Sequence, residues 1–193
     1  EDLYEKLLLY RSHGITKDAR FYQKESHGPW YHEQIDLGYN YRITDMQCAL
    51  ILSQLDKLAL FAKRRREIVE QYNAAFRSMP ELFVQEEIAE SDTVRHLYIL
   101  RIVPERLSID RKGFFEALGA ENIACNVHYI PVYWHPYYEK LGYEKGLCPN
   151  AEKLYNEMLS LPLYYSLTDS DVADVIAAVK KIVAYYAQPV QNV

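Results

Sequence analysis

The chain has 193 residues, 49% hydrophobic and 25% charged, with 22 Lys and Arg against 27 Asp and Glu for a formal net charge of −5. This is the composition of a folded globular chain long enough to bury a substantial core, and it excludes intrinsic disorder. Net acidity without a long cationic stripe argues against nucleic acid as a partner, no apolar stretch approaches the ~18 residues of a membrane span, and residue 1 opens no signal-peptide pattern.

Leu3, Leu7, Leu8 and Tyr10 follow helical spacing, and Gly14 stands where a helix stops, so a helix is expected over 2–12. Residues 15–43 lack a helical period and contain Gly28, Pro29 and Gly38, which predicts loop with short strand or hairpin pieces. Thr44-Asp45-Met46-Gln47 fits a capping box, in which the Thr44 hydroxyl and the Gln47 side chain satisfy free N–H groups at a helix start. Cys48, Ile51, Leu55, Leu58, Ala62, Val69, Tyr72 and Phe76 then predict a single helix of about thirty residues within 44–79 with one continuous buried seam. Pro80 closes it.

Beyond Pro80 the pattern shortens. Leu82–Val84 and residues 96–103 predict strands, the second buried on both faces. Residues 108–118 predict a helix capped by Gly119, residues 123–128 a further strand, and residues 129–149 an irregular, tyrosine-rich loop. Asn150 is expected to cap a helix over 151–159, Leu161-Pro162-Leu163 to run extended, and Thr168 with Asp171 to cap a last helix to about 185. The second half therefore reads as a compact α+β or α/β lobe.

Seven glycines permit neither GxGxxG nor GxxxxGK[ST], which excludes a dinucleotide-binding loop and a P-loop. Cys48, Cys125 and Cys148 are odd in number and far apart, so a reducing cytoplasm is the simplest setting. The histidines lack the spacing of a zinc site, and no metal is expected. Lys63-Arg64-Arg65-Arg66 lies in a helical pattern before Glu67 and reads as a solvated face.

Gly38-Tyr39-Asn40-Tyr41-Arg42 is the most informative stretch. On an extended segment Asn40 and Arg42 point to one side and offer N–H donors suited to phosphate, with the dipole of the helix from Thr44 nearby. The same residues also fit a turn in which Asn40 bonds backbone and Arg42 pairs with Asp45. Val127-His128-Tyr129 enters the aromatic loop and offers a polar pocket with stacking walls, or equally a strand-end histidine under tyrosines that cover core.

Arg11-Ser12-His13-Gly14, then residues 38–50 (GYNYRITDMQCAL), Ser53-Gln54-Leu55, Val127-His128-Tyr129 and residues 159–164 (LSLPLY) resemble, in order and spacing, the DegT/DnrJ/StrS family of nucleotide-sugar aminotransferases. The resemblance covers essentially the whole chain. It implies the α/β class, as the C-terminal part of a fold-type I transferase dependent on pyridoxal 5'-phosphate: the end of the large cofactor-binding domain over 1–43, a long connecting helix over 44–79 and a small α+β domain over 80–193. It also implies a cytoplasmic homodimer with active sites at the subunit interface, a UDP-linked 4-keto-6-deoxy sugar and glutamate as substrates, and pyridoxal phosphate held as a Schiff base by a lysine. On this reading Asn40 reaches the cofactor phosphate in the partner's site, and Arg42 supports it or contacts substrate phosphate. His128 and Tyr129 line the nucleotide-sugar pocket, with His135 a further candidate. The family's lysine precedes the RSHG segment, and no lysine here (for example Lys6, Lys17 or Lys24) has its context. The polypeptide is therefore expected to begin just past that lysine, to hold no catalytic residue and to be inactive alone. Two alternatives stay open: a non-catalytic interaction or regulatory module of the same fold, and a dehydratase-type relative with histidine in the lysine position.

Overall fold

A computed structural model describes residues 2–188; Glu1 of the expected large-domain segment and residues 189–193 of the expected small domain lie outside the described residues. Two compact units divide between Lys57 and Leu58.

In the first unit, α1 (Asp2–Arg11) ends where His13 and Gly14 take left-handed φ values of 63° and 72° and the Gly14 N–H bonds the Leu9 carbonyl at 3.0 Å. The chain reverses there into β1 (Ile15–Thr16), which pairs antiparallel with β2 (Glu33–Gln34). Glu33 closes the intervening loop by accepting from the Gln23 and Lys24 amides at 2.6 and 2.9 Å and from the Tyr31 hydroxyl at 2.8 Å. α2 (Asp45–Leu55) begins with the expected capping box: Thr44 Oγ1 accepts from Gln47 N at 3.3 Å, and Gln47 Oε1 accepts from Thr44 N at 3.0 Å.

The single helix expected over 44–79 is instead two. α2 stops at Leu55, Asp56 and Lys57 turn, and α3 (Leu58–Phe76) starts anew. The seam is not continuously buried either: no α2 residue is buried, and burial begins in α3 at Ile68, followed by Tyr72 and Phe76.

The second unit is built on a three-stranded antiparallel sheet, β3 (Leu82–Val84), β4 (Tyr98–Ile102) and β5 (Met158–Leu161), in that order. Leu82 pairs with Ile102, and Leu100 with Leu159. β4 is not buried equally on both faces. Tyr98, Leu100 and Ile102 are fully buried, whereas Ile99 and Arg101 are half-buried. The core face packs with α3, α4 (Arg111–Ala120) and α7 (Asp169–Tyr186), bringing Ile68, Phe76, Phe114, Leu118, Val172 and Val179 into one cluster. Two buried tyrosine hydroxyls in this core are paired: Tyr72 donates to the Pro162 carbonyl at 3.0 Å and Tyr98 to Asn73 Oδ1 at 2.9 Å. Arg101 reaches Glu157 at the end of α6 (Pro149–Glu157).

Further differences have local causes. α4 starts after Asp110, whose carboxylate accepts from Gly113 N at 2.8 Å, and its left-handed exit residue is Asn122 (φ 61°) rather than Gly119. Pro149, with no N–H to satisfy, opens α6 after Cys148, so Asn150 is inside the helix and not its cap. The strand expected over 123–128 reduces to one bridge, Asn126 with Ser160, on the side of β5 away from β4. Thr168 and Asp171 do form the capping box of α7. The basic run is solvated only in part: Lys63 and Arg66 are exposed, whereas Arg64 and Arg65 are half-buried. Arg64 donates to the Leu167 carbonyl at 2.6 Å and to Asp169 at 2.8 Å, Arg65 to the Leu163 carbonyl at 3.1 Å, and Arg66 to Asp92 at 2.7 Å. No helix among the described residues is long and apolar enough to cross a membrane.

Candidate functional site

The end of α1 and the segment around Asn40 build a cleft within the first unit. Gly14 and Gly38 let two backbones meet: a Cβ on Gly14 would lie 1.8 Å from the Asp36 carbonyl oxygen, and one on Gly38 would lie 2.2 Å from Gly14 N. The Tyr10 hydroxyl donates to Asp36 Oδ2 at 2.5 Å, and this bond, with a second from the Leu37 amide, holds the Asp36 carboxyl below the usual carboxylate range. Residues 39–41 then run antiparallel to 10–13, with Tyr39 N to the Tyr10 carbonyl at 2.7 Å, His13 N to the Tyr39 carbonyl at 2.8 Å and Tyr41 N to the Arg11 carbonyl at 3.0 Å. These bonds satisfy carbonyls that a helix end would otherwise leave bare.

Alternation along this segment sorts its side chains. Tyr39 and Tyr41 stack with ring centroids 4.9 Å apart, and Asn40 and Arg42 line a cleft of about 410 Å³ with Arg11, Ser12, His13 and Lys17. The expected convergence of Asn40 and Arg42 is therefore present, and among the described residues Arg42 makes no ion pair with Asp45. Three permanent or near-permanent cations, an amide and a hydroxyl meet there with no carboxylate in the lining. That donor set fits a phosphate group, including the one carried by pyridoxal phosphate. The α2 N-terminus, expected to add its dipole, does not line the cleft, and its capping box occupies N–H groups of its first turn.

His128 and Tyr129 lie in the second unit. His128 is half-buried, its Nδ1 is 2.7 Å from Ser160 Oγ on β5, and the exposed Tyr129 ring meets it edge-on at 4.6 Å. His135 is exposed and precedes a one-turn helix, α5 (Pro136–Glu139), without capping it through its side chain. The loop beyond is tied to Glu152, which accepts from the Tyr133 hydroxyl at 2.6 Å and from Gly146 N at 2.5 Å. Burial, then this carboxylate, push the Tyr133 hydroxyl up to about 12. Burial also pushes the Cys125 thiol up to about 11, which suppresses the thiolate a nucleophile requires.

Arg11, His13, Lys17 and Ser160 are the site residues that no role was attached to in the sequence. The first two stand in the RSHG segment and the last in LSLPLY, both of which carry the family resemblance, but only folding brings them to Asn40 and His128.

The fold is that of part of a fold-type I pyridoxal-phosphate-dependent transferase. The DegT/DnrJ/EryC1/StrS aminotransferase family matches residues 1–180, and the chain belongs to that family, whose aminotransferases use pyridoxal phosphate. The spore coat polysaccharide biosynthesis protein SpsC of Bacillus subtilis is 40% identical over 95% of this chain and 47% of its own length. The UDP-4-amino-4,6-dideoxy-N-acetyl-beta-L-altrosamine transaminase of Campylobacter jejuni is 34% identical over 89% of this chain and 43% of its own. Among solved structures, Helicobacter pylori PseC, an aminotransferase involved in the biosynthesis of pseudoaminic acid, matches with a TM-score of 0.80 at 28% identity, covering 96% of this chain and 47% of that one. The chain spans about half the length of the relatives it matches.

Proposed function

We propose that the whole protein transfers an amino group, drawn from glutamate, to the 4-keto carbon of a UDP-linked 4-keto-6-deoxy sugar in surface-polysaccharide or nonulosonic acid biosynthesis. It works as a cytoplasmic homodimer with active sites at the subunit interface. The observation that carries the reading is the carboxylate-free cleft in which Asn40 and Arg42 converge with Arg11 and Lys17, in a chain of this family. Bound pyridoxal phosphate supplies the electron sink that amino-group transfer requires. The chain's own residues do the holding. Asn40 donates amide N–H groups to the cofactor phosphate, Arg42 adds a planar pair of charged donors to that phosphate or to the substrate's, and His128 and Tyr129 face the nucleotide sugar. The lysine that anchors the cofactor lies outside these 193 residues, so the polypeptide alone has no transaminase activity.

The test uses a longer protein that includes the upstream residues. It is expected to aminate a UDP-4-keto sugar with glutamate. Asn40→Ala and Arg42→Ala should each weaken pyridoxal phosphate binding roughly 10- to 100-fold, the range of one lost charge-assisted hydrogen bond. Unchanged cofactor affinity in both variants sinks the assignment of the cleft. A stoichiometric, borohydride-fixed pyridoxal adduct on one lysine of the 193-residue polypeptide sinks the claim that the anchor lies elsewhere.

A further inference from the structure

We infer that Ser160 is a positioning residue that fixes His128 as the tautomer protonated on Nε2, so that His128 offers an N–H donor to an oxygen of the ligand. Ser160 is 5% exposed and sits on β5, where its N–H and carbonyl both bond Asn126, at 2.7 and 3.1 Å. Its hydroxyl has one proton to give and, among the described residues, one partner within hydrogen-bond distance, His128 Nδ1 at 2.7 Å. Were Nδ1 protonated, it would donate to Ser160 Oγ and leave the hydroxyl proton without an acceptor in a buried place. With the serine donating to a bare Nδ1, both groups are satisfied. The ring proton of neutral His128 then resides on Nε2, the nitrogen with no partner among the described residues. Tyr129, edge-on at 4.6 Å, restricts the ring from turning away.

A fixed N–H donor selects for a ligand acceptor, either a phosphate oxygen or an oxygen of the sugar ring. This ligand assignment rests on the proposed function; the tautomer does not. Nitrogen-15 NMR of histidine-labelled full-length protein at pH 8.5, where imidazole is neutral, reads the tautomer directly, with the His128 signals identified by their loss in His128→Gln. The wild type should show bare Nδ1 and protonated Nε2, and Ser160→Ala a mixture of the two forms. A protonated Nδ1 in the wild type overturns the inference.

The ligand part is read by titrating UDP and UDP-N-acetylglucosamine. Ser160→Ala should weaken binding about tenfold, Ser160→Thr should retain it, and Ser160→Ala should have no further effect in a His128→Gln background, where the glutamine amide keeps the donor. Weakening of both probes places the acceptor on the nucleotide, and weakening of the second alone places it on the sugar. The expected tautomer with unchanged affinity for both probes overturns the role of His128 in the substrate pocket and leaves the Ser160 pairing intact.

Discussion

Replacing Gly14 with alanine tests whether the cleft depends on the backbone contact at the end of α1. Gly14 has φ +72°, a region that costs a residue with a Cβ about 1–2 kcal/mol. The added Cβ would also lie 1.8 Å from the Asp36 carbonyl oxygen and 2.5 Å from its carbonyl carbon. Ordinary contact is near ~3.5 Å, so the 36–38 backbone must retreat by roughly 1.5 Å. That retreat breaks the Ile35 amide bond to the Gly14 carbonyl, 2.9 Å long, and the Tyr39 amide bond to the Tyr10 carbonyl, 2.7 Å long. At about 1 kcal/mol each, they bring the local loss to about 3–4 kcal/mol. Amide exchange at Tyr39 and Tyr41 should accelerate by two to three powers of ten, roughly, on that free energy, and pyridoxal phosphate binding should weaken with it. Gly119→Ala is the control: it lies in α4, a Cβ there meets nothing within 4 Å, and the variant should be stabilised by about 0.5–1 kcal/mol. If exchange at Tyr39 and Tyr41 in Gly14→Ala matches that of the control, the contact does not hold the cleft.

Arg101 bonds the Glu157 carboxylate through Nε at 3.1 Å and Nη2 at 2.5 Å, and the Glu157 side chain is 7% exposed, with Lys153 no nearer than 3.9 Å. Arg101→Met should therefore cost about 3–5 kcal/mol in denaturant unfolding, and Arg101→Met with Glu157→Leu should recover most of it; equal losses in the single and double variants refute a desolvated pair. Asp169 and Asp171 are held below the usual carboxylate range, the first chiefly by Arg64 and the second by the Thr168 hydroxyl and amide. Because their folded values are depressed, their contribution is complete above the unfolded carboxylate range near ~3.9 and is lost as pH falls through the lower folded values. Urea midpoints of the wild type should fall between pH 5 and pH 2, and Asp171→Asn should flatten that decline; an identical decline refutes the contribution of the cap.

Helix starts were legible at Thr44 with Gln47 and at Thr168 with Asp171, because the capping box is encoded within four residues. The break at Asp56-Lys57 was not, since the apolar spacing runs straight through it and periodicity reports which face is apolar, not whether something covers it. Ile51 and Leu55 of α2 are 47% and 55% exposed although they share the pattern that buries Tyr72 and Phe76 in α3. The helix expected over 151–159 takes in Met158 and Leu159, which open β5 instead, for a related reason. All four residues of β5 are buried, and a short apolar run looks the same to periodicity in a buried strand and a buried helix turn.

The site divides along the same line. Asn40 and Arg42 are two residues apart, so the period of an extended chain puts them on one side and the sequence suffices. Arg11, His13 and Lys17 join them only because His13 and Gly14 turn the chain back on itself, and Ser160 meets His128 across 32 positions. The electrostatics moved as well. The sequence suggested a helix dipole at α2, but the capping box closes that end and the cleft lies against the C-terminal end of α1, where the dipole has the wrong sign for an anion. Its carbonyls are instead taken by the amides of Tyr39 and Tyr41, so the positive potential must come from the side chains of Arg11, Lys17 and Arg42. Each of these can be removed one at a time without touching the backbone contact at Gly14, which separates the charge of the cleft from its shape.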